Sequence, residues 1–145
     1  MKFILYKFIL FAVLLNCLYC EGYSQNKAVL TLQIEGIEQS AGYMMVAVYD
    51  EADQFLSKNM FDGSKNKVNN TGTMKISLEL PFGEYGISVF HDTDANGKLD
   101  TNILGIPKEP TGFSNNAKGK FGPPKYEQVK FSFTESCQRL VIRLE

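Results

Sequence analysis

The chain reads as an all-β domain, a two-layer β-sandwich of about seven strands with one long ordered loop. Three observations carry that reading. Apolar and polar residues alternate with period two in several separate runs, the mark of half-buried strands. No window shows a convincing helical period. Turn-rich segments separate the alternating runs.

The first residues stand apart. Lys2 and Lys7 precede the apolar run Phe8 to Leu15, and Glu21-Gly22-Tyr23-Ser24-Gln25 follows. A basic start, a short apolar centre and a small-x-small exit describe a secretory signal peptide over residues 1–24, cleaved before Gln25. The apolar run is shorter than the roughly 20 residues of a membrane span. Two alternatives are an uncleaved anchor and lipidation at Cys17 or Cys20. Asn16 and Tyr19, just before those cysteines, are larger than lipoprotein cleavage normally accepts. The expected product is exported, periplasmic or secreted, with no membrane span after cleavage.

Residues 25–145 then form a single domain, long enough to bury a core without staples. Without Lys2, Lys7 and Glu21 the chain keeps 13 basic and 15 acidic residues, a net charge of −2. That balance argues against nucleic acid, which calls for a basic patch. Only Cys137 survives cleavage, so no internal disulfide forms. It reads as a small, partly buried hydrophobe rather than a nucleophile.

The strands follow in order. Leu30 to Glu35 places its apolar residues on one face. Met44 to Tyr49 is apolar on both faces, which suits a central strand. Glu51 to Leu56 is the best short helical turn, and residues 58–70 are a weakly patterned place for a further strand. Met74 to Leu80 alternates cleanly, with Lys75, Ser77 and Glu79 toward water. Ile87 to Phe90, Val129 to Phe133 and Leu140 to Leu144 complete the set. Between Leu80 and Ile87, Pro81 cannot donate a ladder hydrogen bond and Gly83 tolerates positive φ, so the chain should reverse there. This Leu-Pro-x-Gly-x-Tyr pattern resembles the hairpin of transthyretin-like modules and implies an Ig-like or prealbumin-like sandwich. No strand pattern appears from Thr93 to about Glu127. Such a long connection tends to be functional or disordered. Leu99, Ile103, Leu104, Ile106, Phe113, Phe121 and Tyr126 can pack it down, so it reads as ordered.

The densest chemistry lies at Asp92-Thr93-Asp94-Ala95-Asn96-Gly97-Lys98-Leu99-Asp100. Oxygen-bearing side chains at alternate positions, followed by a turning glycine, are how a short loop wraps Ca²⁺. Asp92, Asp94 and Asn96 supply side-chain ligands, Lys98 its backbone carbonyl, and Asp100 the ninth position directly or through water. Position twelve is Ile103, where an EF-hand-type loop has a bidentate Glu. Glu109 is the nearest replacement carboxylate, and Asn102 offers a further oxygen. The competing reading is a metal-free turn, because Asp and Asn side chains cap nearby backbone and Asn-Gly turns readily. Oxygen ligands with a single histidine do not suit transition metals.

His91, the only histidine, sits beside these carboxylates. A hydrolase reading takes His91 as base, Asp92 or Asp94 as orienting acid, and Ser88 or Ser114 as nucleophile. No nucleophile-elbow pattern is present, and a strand-end structural role fits better. Phe113, Phe121 and Tyr126 can stack on sugar rings, with Asn115 and Asn116 bonding hydroxyls, or they can pin the loop. Lys108, Lys118, Lys120 and Lys125 make this half of the loop basic: a solubilising surface, or the place of an anionic ligand or headgroup.

At His91-Asp92-x-Asp94-x-Asn96-Gly97-Lys98-Leu99-Asp100-x-Asn102, continuing through Gly105-Ile106-Pro107, Gly112-Phe113-Ser114-Asn115-Asn116 and Phe121-Gly122-Pro123-Pro124, the chain resembles the exported bacterial family called domain of unknown function 2141. The resemblance covers most of residues 28–144. It implies a β-sandwich and an exported location, and it brings no activity. The expectation is therefore a non-enzymatic binding or structural module of the cell envelope, with an envelope ligand or protein as partner and Ca²⁺ as candidate cofactor. A carbohydrate- or peptide-binding module using Phe113, Asn115, Asn116 and Phe121 is the second reading. A hydrolase centred on His91 is the third.

Overall fold

Eight strands in two sheets make up the computed structural model, which describes residues 27–145. The expected signal peptide, its cleavage site, Cys17 and Cys20 lie outside those residues. The first strand, β1 (Lys27–Ile37), alternates as far as a bulge between Glu35 and Ile37, with Leu30, Leu32 and Ile34 fully buried. Each such side chain gains roughly 1.5–3 kcal/mol over an exposed position. β1 pairs antiparallel with β4 (Gly72–Pro81) and parallel with β8 (Arg139–Arg143), giving a three-stranded sheet in the order β4-β1-β8.

The second sheet is built on β2 (Tyr43–Tyr49) and β5 (Gly83–Asp92). β3 (Asp62–Lys67) covers the free edge of β2. It is the strand expected in residues 58–70, and its polar sequence suits an edge position. Two three-residue strands share the other edge of β5, end to end. β7 (Phe131–Phe133) pairs with Gly83–Tyr85, and β6 (Thr111–Phe113) with Ser88–Phe90. Met44, Val46 and Val48 of β2 and Ile87 and Val89 of β5 meet the apolar face of β1 and β4 in one core.

A second apolar cluster lies on the outer face of the five-stranded sheet. Tyr49, Tyr126 and Val129 pack there with Ala47, Phe55, Phe113 and Ala117. Phe55 comes from the segment of the short 3₁₀ turn Ala52–Gln54 and stacks edge-on against Tyr49 and Tyr126, with centroids 5.3 and 5.8 Å apart. This second layer is why β2 is apolar on both faces.

Four expectations need correction. The Leu80–Tyr85 turn is not a hairpin between paired strands, because β4 and β5 lie in different sheets. It is a corner. Tyr85 Oη donates to the Pro81 carbonyl at 3.0 Å, a bond that pins such corners in sandwich domains. Gly83 does not take positive φ; a Cβ there would sit 3.3 Å from the Tyr85 hydroxyl. Second, the segment 93–127 is not free of strand, since it contains β6. Third, Val129 is not in a strand. It ends a one-turn helix, α1 (Tyr126–Val129), because it is drawn into the outer cluster. Fourth, Cys137 is exposed, at positive φ in the β7–β8 turn. No helix among the described residues is long and apolar enough to cross a membrane.

Candidate functional site

The acidic loop leaves the end of β5 on the outer face of the five-stranded sheet. Alternation puts Ile87, Val89 and His91 toward the core and leaves Ser88, Phe90 and Asp92 facing outward. Asp92 is nevertheless fully buried, because the excursion from Thr93 to Pro110 folds back over it. The return leg extends the ladder of β6. Val89 pairs with Gly112, Phe90 with Thr111, and the His91 N–H donates to the Pro110 carbonyl at 2.9 Å. One step further, the same register sets Glu109 opposite Asp92. Glu109 is only 7 % exposed.

Two buried carboxylates thus face one another just beyond the end of the β5–β6 pair, and Asp94 joins them. Carboxylate oxygens of Asp92, Asp94 and Glu109 all lie within 4.8 Å of one another, a group able to hold a metal ion. None of the three, nor Asp100, forms a salt bridge among the described residues. Like charges directly opposite in a sheet are destabilising. Backbone amides offset part of this. Asp92 accepts from Asn96 N–H at 3.1 Å and Gly97 N–H at 3.0 Å. Glu109 accepts from Thr93 N–H at 2.9 Å and Asp100 N–H at 3.0 Å.

Of the remaining predicted ligands, Asn96 and Asp100 lie beside this triad. Gly97 takes φ 78°, the left-handed turn expected at the sixth position. The Asn96 amide nitrogen bridges Asp94 at 2.9 Å and Asp100 at 3.2 Å, putting the positive end of a dipole between two carboxylates. Its Oδ1 accepts the Lys98 N–H at 2.7 Å, so Lys98 contributes its amide to the loop's own turn. Ile103, at the twelfth position, is fully exposed. Asn102 does not join the group: its Oδ1 accepts from Leu104 and Ile106, closing a separate turn at the tip.

His91 is 1 % exposed, and its Nε2 lies 2.8 Å from the Ala41 carbonyl. Ser88 points to the opposite sheet face. Ser114 is buried, with its hydroxyl engaged by backbone of Ile87 and Val129. The structure brings neither serine together with His91.

The predicted ligand-binding residues divide. Phe113 is half-buried in the outer cluster, 6.3 Å from the Phe55 ring. Phe121 is fully exposed. Asn115 spends its side-chain nitrogen on backbone, donating to the Gln128 and Lys130 carbonyls, and its φ is 60°. Asn116 caps the edge of β8, with Oδ1 accepting Arg143 N–H at 2.8 Å. Phe113, Asn116 and Phe121 do border a groove of about 1270 Å³ across the outer sheet face. Sequence reasoning missed its floor, Met45, Ala47 and Phe90, because the outward set of an apolar strand looks like core until the register is known.

A family described as an uncharacterised protein conserved in bacteria (DUF2141) matches residues 32–140. No curated protein and no solved structure matches the chain.

Proposed function

The chain belongs to the DUF2141 family, and we propose that it is an exported, non-enzymatic binding module of the cell envelope whose acidic loop takes up Ca²⁺. The observation that carries this reading is the convergence of Asp92, Asp94 and Glu109 with no counter-cation among the described residues. Hard oxygen ligands, two of them buried, suit Ca²⁺ or Mg²⁺ better than softer metals. Asp92, Asp94 and Glu109 would hold the ion, and Asn96 and Asp100 are placed to complete its surroundings. The ion would neutralise facing carboxylates and fasten the excursion to the end of β5. That chemistry is structural.

Export is supported by the basic, apolar and small-residue pattern of residues 1–24. Binding is supported by the groove that the excursion helps to wall. Equilibrium dialysis against Ca²⁺ tests the cation. One saturable site is expected, half-filled between about 0.1 and 1 mM, as in extracellular calcium modules. Asp94→Asn should abolish it. Uptake that does not saturate, or that survives Asp94→Asn unchanged, would reduce the loop to a self-capped turn.

A further inference from the structure

We propose that the outer groove binds a long-chain fatty acid, its acyl chain along the floor and its carboxylate at a lysine rim. The inference deepens the binding-module reading and does not need a bound cation.

Shape comes first. The groove crosses the sheet from β3 to β6, three strand spacings or roughly 14 Å. Its 1270 Å³ exceeds the roughly 300–1,000 Å³ of ordinary small-ligand pockets. An extended chain uses such a space better than a compact ring.

The lining is mainly apolar. Met45, Ala47 and Phe90 form an apolar floor on strands whose backbone groups are taken up by their neighbours. Leu56 and Met60 wall one side; Leu99, Leu104, Ile106 and Phe121 wall the other. These six are most of the ten large apolar side chains exposed among the described residues. A contiguous apolar patch of this kind marks a binding surface. For a sugar the lining offers the hydroxyls of Ser88, Thr101 and Thr111, while Asn116 is spent on backbone.

Charge then selects the head group. The chain as a whole carries a net charge of −1. The groove is nevertheless lined by Lys65, Lys118, Lys120 and Arg143 against a single acid, Glu145. Lys118 pairs with Glu145 and Arg143 with Glu35. Lys65, over the Tyr43 ring at 4.0 Å, and Lys120 have no carboxylate partner among the described residues. An amphiphile with an anionic head satisfies the apolar floor together with one of these cations.

The test is displacement of a fluorescent acyl probe from the purified protein by oleate and by oleyl alcohol, with chelator and with Ca²⁺. Oleate should displace the probe saturably, at one site per chain. The double variant Lys65→Gln/Lys120→Gln should weaken oleate about tenfold, equivalent to about 1.4 kcal/mol, and leave oleyl alcohol unchanged. Met45→Glu should weaken both ligands. Both lysines are exposed, so folding is not at stake in the double variant. Absence of saturable displacement with and without Ca²⁺ would overturn the proposal. So would equal affinity for acid and alcohol, or a concentration-dependent dimer in light scattering that occludes the groove. Because oleate binding is read separately from Ca²⁺ uptake, failure of one leaves the other distinguishable.

Discussion

Glu109 and Thr93 stand sixteen positions apart in the chain, and the Glu109 carboxylate closes that distance by accepting the Thr93 N–H at 2.9 Å. Its second oxygen accepts from Asp100 at 3.0 Å. One buried side chain therefore holds both the root and the middle of the excursion. Glu109→Ala should cost about 3 kcal/mol, since charge-assisted hydrogen bonds contribute about 1.5–3 kcal/mol each. Hydrogen exchange should accelerate at the Thr93 and Asp100 amides and stay unchanged in β1. Uniform acceleration would instead mean that the whole sandwich depends on Glu109.

Gly42 governs how closely the chain approaches Asp92. It has φ 64°, and a Cβ there would lie 1.9 Å from the Asp92 carbonyl oxygen, which is backbone and cannot move aside. Gly42→Ala should destabilise the fold by on the order of 4 kcal/mol, among the largest single-residue effects. Denaturant unfolding measures it, and a change below about 1 kcal/mol would mean that β2 shifts freely against β5.

Two tyrosines should respond oppositely to loss of their hydroxyls. Tyr85 donates to Pro81 across the sheet-to-sheet corner, so Tyr85→Phe should cost about 1 kcal/mol. The Tyr126 hydroxyl is buried with no hydrogen-bond partner among the described residues, so Tyr126→Phe should leave the thermal midpoint unchanged or raise it. Equal losses in both variants would contradict this assignment.

Much of the fold was legible because its strands are amphipathic. Met74 to Leu80 and Leu30 to Glu35 announce β4 and β1 by period alone. β6 was not legible: three residues carry no period, and Gly112 earns its place through contact with Ile142, whose Cγ2 would lie 2.6 Å from an added Cβ. The corner at Pro81 was misread as a hairpin because sheet membership depends on distant pairing. In the site, Asp92 and Asp94 were legible from oxygen spacing, and Glu109 only as the nearest carboxylate after a loop with Ile103 at its twelfth position. The backbone hydrogen bonds of Asn115 and Asn116 were not legible, because their carbonyl partners lie over a dozen residues away.

High pH should weaken the domain. Burial raises the hydroxyls of Tyr49, Tyr85 and Tyr126 above their ordinary value of 10.0. The unfolded chain releases these protons near pH 10, while the folded chain holds them. Above that pH the native state binds more protons than the unfolded state, so stability falls as pH rises. Urea midpoints from pH 8 to 11 should decline above about pH 10, with tyrosinate absorbance appearing as the chain unfolds. Free titration of all tyrosines in the folded state would refute this.

Thermal unfolding in chelator and in millimolar Ca²⁺, for the parent and for Asp94→Asn, tests the cation site most directly. Asp94 is exposed, and an asparagine there can still cap the turn, so the variant in chelator should match the parent within about 0.5 kcal/mol. A ligand at about 100 times its dissociation constant adds roughly 2.7 kcal/mol, several degrees for a domain of this size. The parent should show that rise and Asp94→Asn none. An unchanged parent midpoint in Ca²⁺, or an equal rise in both proteins, would contradict it.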